Sequence, residues 1–495
     1  MTAKPLTLTP SACYQAVRAR DARFDGLFYL GVRSTGVYCR PVCKARTPLL
    51  RNCAFFSLPA QAEQAGFRPC LRCRPEWAPG PAQRWSNQDA TQVLAQQALA
   101  WMAQRDPHAG AWQLSDLAAH MGVGERHLRR IMQAHWGVTP AQYRQTQRLL
   151  RAKLLLSTSA LPMDTVASLS GFSSTRQFHR AFAQHYHIKP AQCRLSSNRP
   201  GPARLRLSYR PPFDAPAMLG FWRQRAVPGL EWSDPNAQGG EAFTRILSLD
   251  LPQGLSHGWV RVQFDAPAHQ VGVQFSEHWW PHLSPLLERL RWALDLDADP
   301  LALEAALQAD FAHSTGVRVP GAWHGFELAV RAVLGQQVSV AAARTYAQRL
   351  VHALGTPVNT PWPGLTHAFP TPTQLLHASP DQLGALGIVK QRQKALLALA
   401  QAVCHGGLDL NPGADVAQRV EALMALPGIG AWTAQYIAMR ALRWPDAFPA
   451  GDLVVQQRLG VRDTPNPARA ASALAQRWQP WRSYAVLRLW HTKET

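Results

Sequence analysis

The sequence lacks any long apolar segment: nowhere do about 18 apolar residues follow one another, and no apolar stretch follows the initiator methionine. A membrane-spanning helix and a secretory signal peptide both need such a segment. We therefore expect a cytoplasmic protein without a membrane partner.

Acidic residues are also scarce. The chain carries 31 Asp and Glu residues against 52 Lys and Arg residues, which gives a net charge of +21 and a pI near 10.4. A basic balance spread over several segments indicates nucleic acid rather than an acidic metabolite as the partner. The alternative from composition alone is a generically basic protein without a nucleic-acid partner.

Cysteine is rare and unevenly placed. Four of the eight cysteines (Cys39, Cys43, Cys70 and Cys73) form one cluster. The other four have no matching partners, which excludes a disulfide framework and fits a reducing compartment.

The length of 495 residues is too great for one hydrophobic core, so we expect several domains. Two Pro/Gly-rich stretches, at about 78–89 and 196–202, have the composition of linkers. After the second linker, apolar and polar residues alternate as in strands to about residue 275, and from Phe326 onward the pattern is helical. The predicted domains are therefore residues 1–78, 85–195, 204–314 and 315–495.

The cysteine cluster has the spacing C-x3-C, a gap of 26 residues, then C-x2-C. Four thiolates at this spacing suit a tetrahedral Zn²⁺ ion. Residues 31–51 hold no acidic residue and five basic residues: Arg33, Arg40, Lys44, Arg46 and Arg51. A closed structural zinc site does not need these charges, whereas a site that lies against DNA phosphates does. A purely structural zinc ribbon is the alternative.

The segments 32–46 and 66–73 closely resemble the N-terminal domain of the bacterial adaptive-response protein Ada. This resemblance implies a small α+β zinc domain in which Cys39 accepts the methyl group of a methylphosphotriester. It also implies that Cys43, Cys70 and Cys73 complete the zinc site and that Thr35 and Arg46 lie near the DNA. Losing one thiolate charge would weaken the repulsion of the DNA backbone, so methylation would act as a switch.

The second domain contains an approximate repeat of a short helix, a glycine turn and a longer helix, at about 114–135 and 165–185. This is the pattern of a helix-turn-helix. Residues 126–151 contain six arginines and no acid, although a basic bundle with a merely solvated face remains the alternative. Side chains that can contact base edges or phosphates are Arg126, Arg129 and Arg130 on the first recognition helix, and Arg176, Gln177 and Arg180 on the second.

The double repeat resembles the all-α AraC-type DNA-binding domain. Ada joins its zinc domain to the same module, so the order along the chain agrees. The resemblance implies promoter DNA and RNA polymerase as partners of an activator.

Leu426 to Gly430 reads LPGIG between two helical patterns. The glycines Gly428 and Gly430 permit a tight hairpin whose backbone N–H groups can bind a DNA phosphate. Asp452 follows 22 residues after Gly430, beyond a Pro/Gly-containing loop. This is the helix-hairpin-helix and aspartate arrangement of base-excision DNA glycosylases, although in isolation Asp452 would more commonly be a helix N-cap.

The residue types explain the chemistry. Breaking an N-glycosidic bond builds positive charge on the sugar, which a carboxylate stabilises. The base must first leave the duplex stack. A cationic alkylated purine is held by aromatic rings, and Trp432, Tyr436 and Trp490 can supply them, unless they are plain core residues.

Residues 205–492 resemble an AlkA-type 3-methyladenine DNA glycosylase, with an α+β N-terminal domain and an all-α helix-hairpin-helix domain. The resemblance implies that Asp452 is catalytic and that the three aromatic residues line the base pocket, with Gln336 and Gln337 beside it. Gln337 stands where a family member has a wedging leucine. Trp432 stands where bifunctional relatives have a Schiff-base lysine, so we expect no strand cleavage.

We therefore expect a multidomain, monomeric, nucleoid-associated bacterial repair enzyme fused to its own regulator. Its partner would be double-stranded DNA, both alkylated and promoter DNA. The alternatives are a regulator with an inactive glycosylase-like domain and a structural DNA-bending protein. No PCHR-type motif of a second methyltransferase domain is found.

Overall fold

A computed structural model of the chain describes residues 8–80, 90–104, 112–194, 203–251, 253–412 and 415–491. Most of the first predicted linker (residues 81–89) and all of the second (residues 196–202) lie outside the described residues. Over the described ranges, none of the helices has the length and apolar character that crossing a membrane requires. The chain divides into two compact units. The first comprises residues 1–211, 267–288 and 296–299, and the second comprises residues 212–266, 289–295 and 300–495.

The first unit begins with a small four-stranded sheet of order β3-β1-β2-β4, flanked by two helices. Strand β2 pairs antiparallel with β1 and parallel with β4, and the N–H of Cys70 donates to the carbonyl of Tyr38 at 2.9 Å. The sheet thus brings the two halves of the cysteine cluster together. Its elements are α1 (Pro10–Ala19), β1 (Tyr29–Val32), β2 (Val37–Cys39), β3 (Cys53–Phe56), α2 (Pro59–Gln64) and β4 (Arg68–Pro69).

Six helices follow in the same unit, and they form the predicted double helix-turn-helix. Gly122 and Gly171 adopt positive φ angles of 66° and 81° in the two turns, a conformation that glycine adopts without strain. The helices are α3 (Ala90–Gln104), α4 (Leu114–His120), α5 (Glu125–Trp136), α6 (Pro140–Thr158), α7 (Met163–Leu169) and α8 (Thr175–Tyr186). The apolar faces of α5 and α8 are buried, which leaves their basic faces outward.

The strands from residue 203 to 275 are antiparallel, as their alternating pattern predicts. In the first unit β5 (Ala203–Ser208) pairs with β9 (Gln270–Phe275). In the second unit β7 (Ala242–Leu251) lies between β6 (Glu231–Asp234) and β8 (Gly254–Asp265).

The second unit is otherwise helical, and its largest core is apolar. Helix α12 is buried along most of its length, and α16 and α18 pack on it. The helices of this part of the chain are α9 (Ala215–Arg225), α10 (Leu283–Ala293), α11 (Pro300–Leu307), α12 (Gly325–Leu334), α13 (Val340–Leu354), α14 (Pro372–Leu376), α15 (Pro380–Ala385), α16 (Lys390–Cys404), α17 (Val416–Met424), α18 (Ala431–Arg440), α19 (Leu453–Arg458), α20 (Pro467–Leu474) and α21 (Arg482–His491). The predicted fold class, with a zinc domain, a double helix-turn-helix, an α+β domain and a helix-hairpin-helix domain, is confirmed.

Candidate functional sites: the cysteine cluster and the aromatic cleft

The four cysteines of the N-terminal cluster meet at one point. Their sulfur atoms all lie within 4.8 Å of one another. Tetrahedral zinc thiolates, with bonds of about 2.3 Å, need sulfur atoms about 3.8 Å apart, so the cluster needs little adjustment. Cys39 and Cys70 are buried, whereas Cys43 and Cys73 are partly exposed. The donor set fits a zinc ion.

Backbone N–H groups support the sulfur atoms. The N–H of Arg40 donates to Cys73 Sγ at 3.3 Å, and the N–H of Arg72 donates to Cys70 Sγ at 3.4 Å. Such donors favour thiolates and orient metal ligands. Hydrogen bonds among the sulfur atoms raise the pKa of Cys39, lower the pKa of Cys70 and lower the pKa of Cys43 to about 7. The same hydrogen bonds raise the pKa of Cys73, so the four thiols share their protons unequally, and binding of a divalent cation would release them.

One of the five basic residues near the cluster does not face solvent. Arg40 is buried, its guanidinium pairs with Asp25, and its Nε donates to Asp25 Oδ1 at 2.8 Å. The interpretation of Arg40 as part of a phosphate-facing surface is therefore wrong, because its charge is already compensated inside the protein. Exposed basic residues of this segment are Arg33, Lys44, Arg46 and Arg51, and Thr35 is exposed in the β1–β2 turn.

A buried polar network joins the cluster to the helix-turn-helix within the first unit. Glu63 of α2 accepts hydrogen bonds from the hydroxyls of Tyr38 (3.1 Å), Thr146 (2.6 Å) and Tyr186 (3.2 Å). Lys153 of α6 donates to the carbonyl oxygen of Cys70 at 3.0 Å and pairs with Glu76. This network was not predicted from the sequence. The signal for it was Lys153, because a lysine within the apolar run LLRAKLLL indicates a buried charge that needs a partner.

The predicted recognition helices α5 and α8 expose the predicted contact residues, namely Arg126, Arg129, Arg130, Arg176, Gln177 and Arg180. Three of them have partners on their own helix or cap, and Arg130 contacts Nδ1 of His127 at 2.9 Å. Arg129 pairs with Glu125 at 3.0 Å, and the side-chain oxygen of Gln177 accepts from the hydroxyl of Ser173 at 2.8 Å. The amide nitrogen of Gln177 keeps its donors for other partners.

Asp452 is the central residue of the second site, and it is only 9% exposed. It caps the N-terminus of α19, because its Oδ1 accepts from the N–H of Val455 at 3.0 Å. The indole Nε1 of Trp432 donates to Oδ2 at 2.9 Å, and that of Trp490 donates to Oδ1 at 3.1 Å. The carboxylate is therefore an N-cap that also lies against two aromatic side chains.

The three predicted pocket aromatics lie side by side. The site that they line is called the aromatic cleft, and its residues are Trp432, Tyr436 and Trp490. The rings of Trp432 and Tyr436 stack with centroids 5.3 Å apart and planes within 8° of parallel. Trp490 lies 6.2 Å from Tyr436. All three are partly exposed, so they are not plain core residues.

The hairpin between α17 and α18 is braced by the turn that follows α12. Gly428 has a φ of +79°, and a Cβ there would lie 2.9 Å from the Cβ of Ala395. The side-chain amide of Gln336 donates to the carbonyl of Gly428 at 2.8 Å and to Thr433 Oγ1 at 3.0 Å. Gln337, at the exposed tip of that turn, has a φ of +54°. Gln336 thus braces the hairpin while Gln337 projects outward.

Two buried or half-buried arginines behind the aromatic cleft were not foreseen. Arg440 donates to the hydroxyl of Tyr436, and Arg225 contributes a second positive charge near it. The position of Arg440 eight residues after Trp432, on the same helical face, was the available signal.

Family models match four consecutive segments of the chain. These are the metal binding domain of Ada at residues 12–76, a helix-turn-helix domain at 117–196, the AlkA N-terminal domain at 204–324, and the HhH-GPD superfamily of base excision DNA repair proteins at 330–480. The matches follow the order of the predicted domains.

Several curated proteins are similar to this chain. The DNA-3-methyladenine glycosylase 2 of Escherichia coli is 35% identical, covering 58% of this chain and 96% of that protein. The bifunctional transcriptional activator/DNA repair enzyme Ada of Escherichia coli is 32% identical, covering 36% of this chain and 47% of that protein. The probable bifunctional transcriptional activator/DNA repair enzyme AlkA of Mycobacterium tuberculosis is 38% identical, covering 97% of this chain and 96% of that protein. With this likeness along almost its whole length, the chain belongs to the family of bifunctional transcriptional activator/DNA repair enzymes AlkA, which combine a DNA glycosylase with an Ada-type zinc domain and a helix-turn-helix.

Proposed function

We propose that the protein hydrolytically excises alkylated purines, such as 3-methyladenine, from double-stranded DNA. The observation that carries this proposal is the carboxylate of Asp452, buried and held by the indoles of Trp432 and Trp490 at the aromatic cleft. A carboxylate in that setting is available to a sugar carbon that develops positive charge.

The first steps of the proposed reaction are DNA binding by the hairpin and extrusion of the damaged base. The hairpin around Gly428 and Gly430 binds a DNA phosphate, and the damaged nucleotide turns out of the stack while Gln337 fills the gap. The base stacks on Tyr436 and the neighbouring indoles, which attract a cationic purine.

The C1′–N bond then breaks, and both bonding electrons leave with the base. Asp452 stabilises the positive charge on the sugar, a water oxygen bonds to C1′, and a proton of that water passes to the carboxylate. Trp432 occupies the position of a Schiff-base lysine, so the product is an abasic site on an unbroken strand.

The zinc domain supplies a second, single-turnover reaction. The thiolate of Cys39 attacks the methyl carbon of a DNA methylphosphotriester, so that an S–C bond forms, the O–C bond breaks and a phosphodiester anion leaves. Cys39, Cys43, Cys70 and Cys73 would hold a zinc ion, which would keep the thiolates deprotonated. Cys39 is 7% exposed, so only a small part of this residue is accessible to the triester.

Methylation of Cys39 removes one negative charge from a cluster that carries a formal charge of about −2 with its ion. Repulsion of DNA phosphates falls, and Arg46 and Thr35, with the recognition helices α5 and α8, bind promoter DNA more tightly. Activation then proceeds through RNA polymerase in the bacterial cytoplasm, with the protein acting as a monomer.

Analysis of the products tests the proposal. Incubation of methylated duplex DNA with the protein should release free 3-methyladenine and leave strands that break only when heated in alkali. Strand breaks without alkali would contradict the monofunctional assignment. Release of no base at all would leave a regulator with an inactive glycosylase-like domain.

A further inference from the structure

The buried charge behind the aromatic cleft is positive and uncompensated. Arg440, the last residue of α18, is 7% exposed. Its Nε donates to the carbonyl of Pro320 at 2.7 Å, and its guanidinium also donates to the hydroxyl of Tyr436. No carboxylate in the described part of the chain lies within ion-pair distance of it.

Arg225 is in a similar position. It is partly exposed and lies over the ring of Phe221, 3.8 Å from the ring centroid. In the described part of the chain, the hydrogen bonds of its guanidinium go only to oxygen atoms of Phe221 and Gln224, each at 3.4 Å. The other nearby arginines are neutralised, since Arg331 and Arg245 share the carboxylates of Glu231 and Glu327. Two positive charges are therefore left over beside Tyr436.

These positive charges change the pKa of the Tyr436 hydroxyl. Burial opposes its ionisation, but the charges of Arg440 and Arg225 and the hydrogen bond from Arg440 outweigh burial and lower the pKa of the phenol. Arg440 lies 5.4 Å from the centre of that ring. The positive charge thus acts directly on the wall that the base would stack against.

The opposite charge lies at the other end of the same wall. Trp432, Tyr436 and Arg440 follow one another at intervals of four residues, so they line one face of α18 over about 12 Å. Asp452 accepts from Trp432 at the beginning of the helix. This face of α18 therefore has a carboxylate at one end and a guanidinium at the other. In the proposed reaction the sugar lies beside the carboxylate, and the base lies nearer the guanidinium.

We propose that Arg440, assisted by Arg225, is an electrostatic specificity determinant that favours the flow of bonding electrons onto the departing base. This inference rests on the proposed glycosylase function. When the C1′–N bond breaks heterolytically, a cationic alkylpurine becomes neutral, and a neutral purine becomes an anion. In both cases negative charge moves toward Arg440 while positive charge appears beside Asp452, and both changes are stabilised.

The two substrate classes differ in the bound ground state. A cationic base is repelled by Arg440 before cleavage, and the repulsion is relieved as the bond breaks. A neutral base feels no net charge repulsion before cleavage. Removing the charge should therefore slow cleavage of both classes but tighten the binding of the cationic class only.

The test is single-turnover excision by Arg440→Gln with enzyme in excess, on duplexes that carry either cationic 7-methylguanine or neutral hypoxanthine. For charges about 10 Å apart at an effective dielectric constant of about 20, the expected effect is roughly tenfold. The maximal rate should fall about tenfold on both duplexes. The enzyme concentration at half-maximal rate should fall about tenfold for 7-methylguanine and stay unchanged for hypoxanthine.

Three variants isolate the charge. Arg440→Lys should restore the wild-type pattern, and Arg223→Gln removes an exposed arginine that pairs with Glu241 and should change nothing. Arg225→Gln should give the same difference between the two duplexes, but a smaller one. It replaces Arg440→Gln as the test variant if Arg440→Gln does not fold. Thermal unfolding checks the folding of each variant.

The outcomes separate the two proposals. Arg440→Gln could bind both duplexes more weakly and to the same extent. That result would show a merely structural role for Arg440 and overturn this inference, while leaving the proposed glycosylase function intact. A wild-type protein that releases neither 7-methylguanine nor 3-methyladenine would instead overturn the proposed function itself.

Discussion

At the residue scale, the most informative side chain is Asp452, which caps α19 and also accepts hydrogen bonds from two indoles. The sequence offered an N-cap and a catalytic carboxylate as competing interpretations, and in the structure the cap is present without excluding the other, because each oxygen also accepts from an indole. The spacing from the LPGIG hairpin was enough to single out Asp452. The two indole donors were not predictable, because they join residues 20 and 38 positions away.

Replacing Trp432 by Phe keeps an aromatic ring beside Tyr436 but removes the N–H that donates to Asp452. A hydrogen bond to a charged group contributes about 1.5–3 kcal/mol, so we expect the excision rate to fall about 10- to 100-fold. Trp478→Phe is the matched control, because it also removes an indole N–H that donates to a carboxylate, that of Asp310 at 2.8 Å. It should lower thermal stability and leave the rate per folded molecule unchanged. Equal rate losses in the two variants would contradict a specific role for the Trp432 donor.

At the scale of secondary-structure elements, two polar residues tie the zinc domain to α6. Glu63 contacts the side chains of three elements, and Lys153 reaches the carbonyl of Cys70. The repeat pattern predicted α7 and α8 but not these contacts, because residues 63 and 146 are far apart in the sequence. The zinc domain and the helix-turn-helix belong to one compact unit.

Glu63 should make this unit sensitive to pH. Burial raises the pKa of Glu63 to about 7 from its ordinary value of 4.5, so the folded state binds the proton more tightly than the unfolded state. The contribution of Glu63 to the free energy of unfolding is fully present below pH 4.5 and is lost as the pH rises to about 7. The loss amounts to about 3 kcal/mol at most.

Hydrogen exchange of the α6 amides at several pH values, corrected for the intrinsic exchange rate, measures this contribution without the second unit. The stability difference between wild type and Glu63→Gln should decrease from pH 5 to pH 7.5. A difference that stays constant over that range would show that Glu63 does not titrate there.

The hairpin between α17 and α18 gives a sharper element-scale prediction. Gly428→Ala forces a side chain into a φ of +79° and within 2.9 Å of Ala395, so the hairpin must shift. We expect affinity for undamaged duplex DNA to fall about tenfold, as measured by fluorescence anisotropy. Gly364→Ala, where a Cβ meets nothing within 4 Å, is the control. Unchanged affinity of Gly428→Ala would exclude the hairpin from the DNA contact.

At the scale of the whole molecule, the chain unites an Ada-type metal binding domain, a helix-turn-helix and the two domains of an AlkA-type glycosylase. Charge, cysteine spacing and the hairpin motif predicted that organisation, because each depends on residues close together in the sequence. The compensation of Arg40 by Asp25, and the lack of a carboxylate partner for Arg440 among the described residues, depend on packing between distant residues, and the sequence alone did not reveal them.

The two chemical activities should be separable in the intact protein. Cys39→Ala should abolish methyl uptake from DNA methylphosphotriesters, because the other three thiolates are expected only to hold the metal. Base excision should persist at the wild-type rate. Cys404→Ala removes an exposed thiol outside the cluster and should leave both activities intact. Loss of both activities in Cys39→Ala would contradict the separation.

The central claim is that Asp452 performs base excision. The most direct measurement is the rate at which free 3-methyladenine leaves methylated DNA, compared between wild type, Asp452→Asn and Asp214→Asn. Asp214 caps α9 with the same type of hydrogen bond, at 2.9 Å, so it controls for the loss of a cap. We predict a loss of about 100-fold or more for Asp452→Asn and a rate near wild type for Asp214→Asn. A folded Asp452→Asn variant that releases the base as fast as the wild type would contradict the account.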